Sequence, residues 1–480
     1  MEAPLEVPID PLAPERFRPL LGEEYAQTEA AIERAQALLA GRTVWHINST
    51  DRGGGVVELL RSLLAYAAGA GVAVRWLVIT GPPEFFTITK RLHNRLHGMP
   101  GDGGPLDASA RRIYEETLAR NSAEIRALMR EGDVVVCHDP QTAGLVGELG
   151  DVAAGVLWRC HVGVDEPNEL AREAWEFLRP WVERADGFIF SRREFAWEGL
   201  DPDRIFISAP VIDAFSPKNQ DLPAKAAAAI LHQATILGGA ASAEPVFTRH
   251  DGTRGRVARF AEVDQEAPLG RDDRVVCQVS RWDRLKDPLG VMEALAPRLS
   301  SRGAHLVLAG PGPGTVADDP ESVDVLAEVR ASRAALEPAQ RERVHLASLP
   351  MMDLEENAAM VNALQRHSDI VVQKSFAEGF GLTVAEAMWK HRPMVASRVG
   401  GIQDQIVDGE SGILVDPHDL HRFADAVCGL LSDPDRARAI GEAAHLRVRH
   451  HFLATASLLR YLEFIEWLLR AARAGPSPTS

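Results

Sequence analysis

Two doubly wound α/β domains are the fold that the sequence predicts, and three observations predict it. Short β-branched runs alternate with longer segments of helical period along most of the length. These runs fall into two series separated by a stretch rich in Pro, Ala and Gly. At 480 residues the chain is also long enough to build two large cores. Continuous apolar strands separated by helices belong to parallel sheets covered on both faces.

The first series of strands is Thr43–Ile47, Val72–Ile79, Asp133–Cys137, Gly155–Cys160, Gly187–Phe190 and Ile205–Ser208. Between the first two lies a helical stripe, Val56, Leu59, Leu60, Leu63, Leu64 and Ala67. The second series is Val275–Ser280, His305–Ala309, Arg343–Leu346, Asp369–Gln373, Pro393–Ala396 and Gly412–Val415. The break, residues 209–272, holds Pro210, Pro217, Pro223, an alanine run and a Gly/Ser/Ala stretch. Its part from Ala243 to Asp273 is polar and lacks a clear period. It reads as an interdomain connection carrying an insertion. The expected division is an N-terminal domain over 1–213, joined by a C-terminal amphipathic helix over 454–474. A C-terminal domain spans 214–453, with the insertion at about 220–272, and 475–480 form a disordered tail.

Composition narrows the function. Hydrophobic residues make up 46% and charged residues 25%, ordinary for a globular protein. With 52 basic and 68 acidic residues the formal net charge is −16. That argues against a nucleic-acid footprint and against docking on anionic lipid. Cys137, Cys160, Cys277 and Cys428 form no C-x-x-C pair and read as small buried hydrophobes in a reducing compartment. The start of the chain lacks the pattern of a signal peptide. The longest apolar stretch, Val56 to Val74, is interrupted by Glu58 and Arg61. The expected location is cytoplasmic.

Ligands of such sheets bind beyond the carboxyl ends of strands, so the residues after each strand are the candidates. Asn48-Ser49-Thr50-Asp51-Arg52-Gly53-Gly54-Gly55 opens a helix, where glycines let backbone N–H groups approach a phosphate or sugar oxygen; a tight turn needing glycine for geometry alone is the alternative. Arg281 and Lys286 lie five apart in a strand-to-helix loop and could both reach one diphosphate; a solvated loop pairing them with Asp283 and Asp287 is equally simple. In Lys374-Ser375-Phe376-Ala377-Glu378-Gly379-Phe380-Gly381-Leu382-Thr383-Val384-Ala385-Glu386, Glu378 would accept from sugar hydroxyls. The N–H groups of Gly379 to Leu382 would donate, and Glu386 could hold a ribose diol. Glu386 could instead close a capping box with Thr383, or pair with Lys390. His138-Asp139 and His161 each follow an N-terminal strand, and two such histidines raise the chance of a working role over a structural one. Scattered His and Cys show no metal-ligand spacing, and the Gly310–Gly314 run is a poor dinucleotide fingerprint.

Taken together, these motifs resemble the retaining, nucleotide-sugar-dependent glycosyltransferases of family 4, which have the two-domain GT-B fold. The glycine loop, the Arg281…Lys286 loop and the Glu378…Glu386 spacing within EGFGLTVAE occur in that family's order. WHINSTDRGGGVVELLRSLL, VRWLVITGPPEFFTITKRLHNRLHG, HDPQ, WRCHVG, VSRWDRLKD, EGFGLTVAEAMWK and VGGIQDQIVDGESGILV look like its trehalose-forming branch, over roughly 43–217 and 273–470.

The resemblance implies two Rossmann-like domains facing across a cleft. It implies reversible transfer of glucose, with retention, from a nucleoside-diphosphate glucose (ADP-, UDP- or GDP-glucose) to free glucose, giving α,α-trehalose. It also implies no metal site and no tightly bound cofactor, at most a stimulating Mg2+, and a homodimer. By position, Arg281 and Lys286 would bind the diphosphate and Glu378 the sugar 3-hydroxyl. Gly379, Phe380, Gly381, Leu382 and Thr383 would line the donor, Glu386 would hold the ribose, and Gly54 and Gly55 would lie beside the β-phosphate. His161 would face C6 of the transferred glucose, and Asn48 and Asp139 would meet the acceptor. The nearest alternatives are a trehalose phosphorylase, or a transferase of the same family with another acceptor.

Overall fold

The computed structural model describes residues 3–51, 55–312 and 321–474. Gly54 and the expected tail at 475–480 lie outside them. Two compact units emerge. One runs through Val211 and resumes at Ala454; the other is Ile212–Leu453.

The N-terminal unit holds a seven-stranded sheet: β1 Leu5–Val7, β2 Val44–Asn48, β3 Val74–Val78, β4 Val134–His138, β5 Gly155–Cys160, β6 Gly187–Phe190 and β7 Ile205–Ile207. Their order is β1-β3-β2-β4-β5-β6-β7, parallel apart from β1, which pairs antiparallel with β3. Every residue of β2, β4, β5 and β6 is buried, as covered parallel strands require. The helix Ala454–Ala474 packs Tyr461, Phe464, Ile465, Leu468 and Leu469 into this unit's core. Each buried side chain of that kind contributes about 1.5–3 kcal/mol. Gly155 makes room for the packing, since a Cβ there would lie 2.5 Å from Leu468 Cδ1.

The C-terminal unit pairs a short hairpin, β8 Val246–Thr248 with β9 Arg254–Arg256, and builds a second seven-stranded sheet. Its strands are β10 Glu262–Asp264, β11 Arg274–Val279, β12 Ala304–Pro311, β13 Val344–Leu349, β14 Ile370–Gln373, β15 Met394–Ser397 and β16 Ile413–Val415. The order is β10-β13-β12-β11-β14-β15-β16, with β10 antiparallel on the edge. Successive strands step outward from β11 to β13, then return to its other side with β14. The switch point of this sheet is therefore between β11 and β14, and that of the first sheet between β2 and β4.

All twelve strands expected from the sequence are present, and four short ones were not foreseen. β1 lies in the unassigned first 40 residues; β8, β9 and β10 lie in the segment read as a connection with an insertion. That segment is an integral part of the C-terminal unit. Its alanine run is the helix Ala224–Gln233, which packs on the helix Leu354–His367. Three-residue strands are too short to show a period. β10 also hides its identity behind charge, as edge strands do, with Glu262 and Asp264 paired to Arg330 at 2.6 and 2.8 Å. All four cysteines are buried and unpaired. Among the described residues no helix is long and apolar enough to cross a membrane.

Candidate active site

In the C-terminal unit the switch point is occupied by two loops, one after β11 and one after β14. The first is shaped by consecutive caps. Asp283 accepts from Leu285 N at 2.7 Å, and Asp287, held at φ +42°, accepts from Gly290 N at 3.0 Å. A Cβ on Gly290 would sit 2.2 Å from the Asp287 carboxylate, so glycine is needed there.

The fully buried ammonium of Lys374 pairs with Asp287 and so ties the second loop to the first. Two further bridges reinforce that tie. Gln278, buried in β11, donates through Nε2 to Lys286 O at 2.7 Å and accepts from Lys374 N at 2.9 Å. Phe376 N donates to Leu285 O at 2.8 Å.

Across this junction Lys286 Nζ donates to Glu378 Oε2 at 2.6 Å, both side chains being only about one-seventh exposed (15% and 14%). Arg281 is half-exposed and lies 3.4 Å from Asp283 Oδ2. The simple alternative of local pairs thus holds for Arg281, whereas Lys286 turns to Glu378 because Asp287 is held by Lys374.

After Glu378 the backbone is held from behind. Gly401 N donates to Gly379 O at 3.2 Å, and Gln405 Nε2 donates to Phe380 O at 2.5 Å. The Phe380 ring is buried beside Phe452, with ring centroids 5.7 Å apart. Gly381, at φ +81°, is the N-cap of the helix Leu382–Trp389. Among the described residues no acceptor takes the N–H of Gly379, Phe380, Gly381 or Leu382. These donors, at a helix N-terminus, suit the oxygens of a sugar or an anion.

The capping-box alternative for Glu386 does not form. Gly381 is the cap, and Thr383 Oγ1 donates instead to Gln373 Oε1 at 2.9 Å. Nor does the Lys390 ammonium reach the Glu386 carboxylate. It donates to Asn219 Oδ1, Gln365 Oε1 and the backbone oxygen of Glu386, at 3.1, 2.8 and 2.9 Å. Burial pushes Lys390 down to about 7, with the Glu386 charge opposing. Glu386 Oε1 lies 3.5 Å from Lys218 Nζ, and among the described residues the buried Oε2 has no hydrogen-bond partner. An orphaned carboxylate oxygen in the interior is costly unless a ligand uses it.

In the N-terminal unit Asp139 follows β4 in the left-handed region at φ +63°. Its N donates to Arg159 O at 2.7 Å, and its Oδ1 accepts from His161 N at 2.7 Å. Burial pushes the Asp139 carboxyl up to about 7. His161 is linked by its ring to a buried neighbour, His138 Nδ1···His161 Nε2 at 3.0 Å. His138 is in turn linked to His46, Nε2···Nδ1 at 3.0 Å. Arg159 Nε donates to His161 Nδ1 at 3.3 Å. Both ring nitrogens of His161 are therefore engaged within the unit. Burial holds His46, His138 and His161 below the usual histidine range, His46 at about 3.

Asn48 is likewise occupied internally. It accepts from Trp76 Nε1 at 2.8 Å and donates to Thr50 O at 2.6 Å. Gly55 begins the helix Gly55–Gly69.

Sequence reasoning missed Gln278, Lys374, Gly400, Gly401, Gln405, Lys218, Arg159 and His46. A usable signal existed for three of them. Gln278, Arg159 and His46 are each the one polar residue at the interior positions of a parallel strand, where a polar side chain must have a partner. Among the described residues no cluster of three or more His, Cys, Asp or Glu could hold a metal ion.

Two family models match the chain. One is described as the N-terminal domain of trehalose synthase and covers residues 46–197; the other, glycosyl transferases group 1, covers residues 260–447. A trehalose synthase of Pyrococcus horikoshii is 35% identical over 455 residues, 95% of this chain and 96% of that protein. The chain belongs to the trehalose synthase family. Another relative in the family, from Rubrobacter xylanophilus, is 37% identical over 88% of this chain and 89% of its own length. A trehalose phosphorylase of Pleurotus pulmonarius is more distant, 27% identical over 89% of this chain and 58% of its own length. A solved structure described as trehalose-6-phosphate from E. coli bound with UDP-2-fluoro glucose aligns with a TM-score of 0.63 at 13% identity, covering 89% of this chain and 99% of that one. That likeness is one of fold. The two Rossmann-like sheets are those of a GT-B glycosyltransferase, as the sequence motifs led one to expect.

Proposed function

We propose that the protein is a retaining glucosyltransferase that joins glucose from a nucleoside-diphosphate glucose to free glucose, reversibly, giving α,α-trehalose. The observation that carries the reading is the pairing, at one switch point, of an anion-binding loop with an orphaned carboxylate. Lys286 and Arg281 stand on the loop tied to the one that carries the N–H groups of 379–382, which no acceptor takes among the described residues, and one helical turn deeper Glu386 presents an oxygen with no partner among them. Inorganic phosphate has no ribose diol for that oxygen, so Glu386 favours a nucleotide donor over a phosphorylase reaction. The trehalose synthase relatives supply the acceptor and the product.

The chemistry follows from charge. Departure of the diphosphate leaves negative charge on its oxygens and oxocarbenium character on C1. An ammonium has three N–H donors, so Lys286 can keep Glu378 and still donate to a phosphate. Glu378 then holds the sugar 3-hydroxyl, and Arg281 adds a fork of donors from the half-exposed side of the loop. One such preorganised donor is worth roughly 3–4 kcal/mol in the transition state. With Glu378 engaged by a hydroxyl, the acceptor attacks from the leaving-group side and passes its proton to the departing phosphate. Asp139 accepts a hydrogen bond from another hydroxyl of the acceptor.

A product assay tests this. Purified protein and glucose are incubated separately with ADP-, UDP- or GDP-glucose, and with glucose 1-phosphate. NMR should find a non-reducing disaccharide with two α-linked anomeric protons in a nucleotide tube. Trehalose from glucose 1-phosphate alone would make the enzyme a phosphorylase and overturn the role given to Glu386.

A further inference from the structure

The three histidines of the N-terminal unit form a ladder, and its chemistry can be read from one end. His46 and His138 stack with ring centroids 5.2 Å apart, His138 and His161 with centroids 5.3 Å apart. Each neighbouring pair shares one ring-nitrogen hydrogen bond. At the His161 end stands the buried Arg159, whose guanidinium can only donate.

Arg159 Nε–H therefore requires His161 Nδ1 to be bare, so the neutral ring carries its proton on Nε2. That proton goes to His138 Nδ1, which must also be bare, and His138 Nε2–H then goes to Nδ1 of His46. One donor sets three tautomers in a row, all pointing inward. Chains of this kind polarise one another and resist reversal of any single member.

Arg159 is itself rigidly held. Its Nη1 donates to Tyr461 Oη at 2.6 Å and its Nη2 to Ser208 O at 3.1 Å. Among the described residues, the other charged or titratable groups beside the ladder are Asp139, after β4, Cys160 in β5, and Tyr461 and Arg460 on the C-terminal helix.

The ladder also reaches the turn at Asp139. Arg159 O accepts from Asp139 N, and the backbone N–H of His161 donates to Asp139 Oδ1. The strained residue at φ +63° is thus clamped from both sides by the pair that begins the ladder. We propose that Arg159 is a positioning residue: it locks the His161–His138–His46 ladder in one direction and, by holding the His161 ring, steadies the His161 backbone N–H that grips Asp139, the carboxylate presented to a sugar hydroxyl. It follows that His161 is neither acid nor base in the transfer. The part of this inference that concerns sugar rests on the function proposed above; the ladder does not.

The test separates the two. In the full chain labelled with 15N-histidine, long-range proton–nitrogen correlation distinguishes bare from protonated ring nitrogens, with assignment from single His→Gln variants. The expected wild-type result is three histidines with bare Nδ1 and protonated Nε2, unchanged between about pH 5.5 and 8, where an ordinary histidine titrates. A protonated Nδ1 on any of the three, or titration within that range, would overturn the proposal whether or not the protein turns over.

Arg159→Met should shift the His161 signals and raise the KM for acceptor glucose roughly tenfold, with kcat changed by less than about threefold. Arg159→Lys, which keeps a donor, should restore part of the KM. Signals and KM that stay at the wild-type values in Arg159→Met would refute the positioning role. If that variant does not fold, the wild-type spectrum and Arg159→Lys still decide. A wild type that makes no trehalose but shows the expected tautomers would sink the functional reading and leave the ladder standing.

Discussion

Replacing Gly400 with alanine is the perturbation whose consequence the geometry determines most directly. The residue lies at φ +47°, and a Cβ built on it would be 1.7 Å from Glu378 O and 2.8 Å from Glu378 C. Real Cβ contacts essentially never fall below 3.0 Å, so the two backbones must separate by at least the difference, 3.0 − 1.7 = 1.3 Å. The obstacle is a carbonyl oxygen, which cannot rotate away as a flexible side-chain end could. Alanine also bears a cost of about 1–2 kcal/mol for the left-handed backbone.

The 378–381 loop is anchored from behind by Gly401 and Gln405, so the displacement falls on Glu378. If the whole shift were directed away from Lys286, the 2.6 Å contact would open to 2.6 + 1.3 = 3.9 Å, too long for a hydrogen bond. A misplacement of about 1 Å at a reacting centre can lower the rate about 10²-fold. The expected result is kcat/KM for the donor reduced about 10- to 100-fold, with unfolding free energy reduced by roughly 2–4 kcal/mol. Steady-state transfer kinetics with a melting curve, and nucleotide protection against unfolding, read both quantities. A variant with wild-type kcat/KM and undiminished protection would show that the loop does not hold the donor.

Three further outcomes are expected. Lys286→Ala should lower kcat by more than about tenfold and leave the fold intact, since the preorganised donor opposite the leaving group is lost; near-normal turnover would remove Lys286 from that role. Glu386→Gln should raise the donor KM by about 10- to 100-fold, the value of a hydrogen bond to a charged group. It also removes the charge that faces Lys218 at 3.5 Å, so a lower melting temperature should accompany it. An unchanged donor KM would remove the ribose from Glu386.

Acid should destabilise the N-terminal unit. His46, His138 and His161 bind protons less readily folded than unfolded, so their stabilisation is complete above the unfolded value of about 6.5 and is lost as pH falls towards the folded values, about 3 for His46. Asp139, raised to about 7, acts in the opposite sense between about 3.9 and 7. The net of three protons against one approaches about 2.7 kcal/mol per pH unit near pH 5, where the unfolded histidines are protonated and the folded ones are not. Calorimetric melting curves at descending pH measure it, and a flat profile from pH 7 to 5 would contradict the buried, neutral ladder.

How far the sequence reached is clearest in individual residues. Twelve strands were legible because a buried parallel strand must be apolar throughout, a local property needing no knowledge of neighbours. The loops after β11 and β14 could be singled out for a related reason: their motifs are residue types at short spacing, Arg281 with Lys286 and Glu378 with Glu386. β10 was not legible, since three residues carry no period and an edge strand may be charged on both sides of its single apolar residue.

Pairing was the other thing the sequence could not express. Local spacing offered Asp283 and Asp287 as partners for the basic loop, and Lys390 for Glu386. The fold keeps Arg281 beside Asp283 at 3.4 Å but joins Lys286 to Glu378, Asp287 to Lys374 and Lys390 to Asn219 and Gln365. It leaves one oxygen of Glu386 unclaimed. The same holds for His46, His138 and Arg159, which lie on β2, β4 and β5 and meet only when those strands lie side by side. The sequence by itself determined which residues could carry charge and which segments could be buried, because both follow from side-chain chemistry and near-neighbour spacing. Tertiary structure alone decided which charges found each other, because a hydrogen bond acts over about 3 Å while its two partners stand 92 residues apart for Lys286 and Glu378.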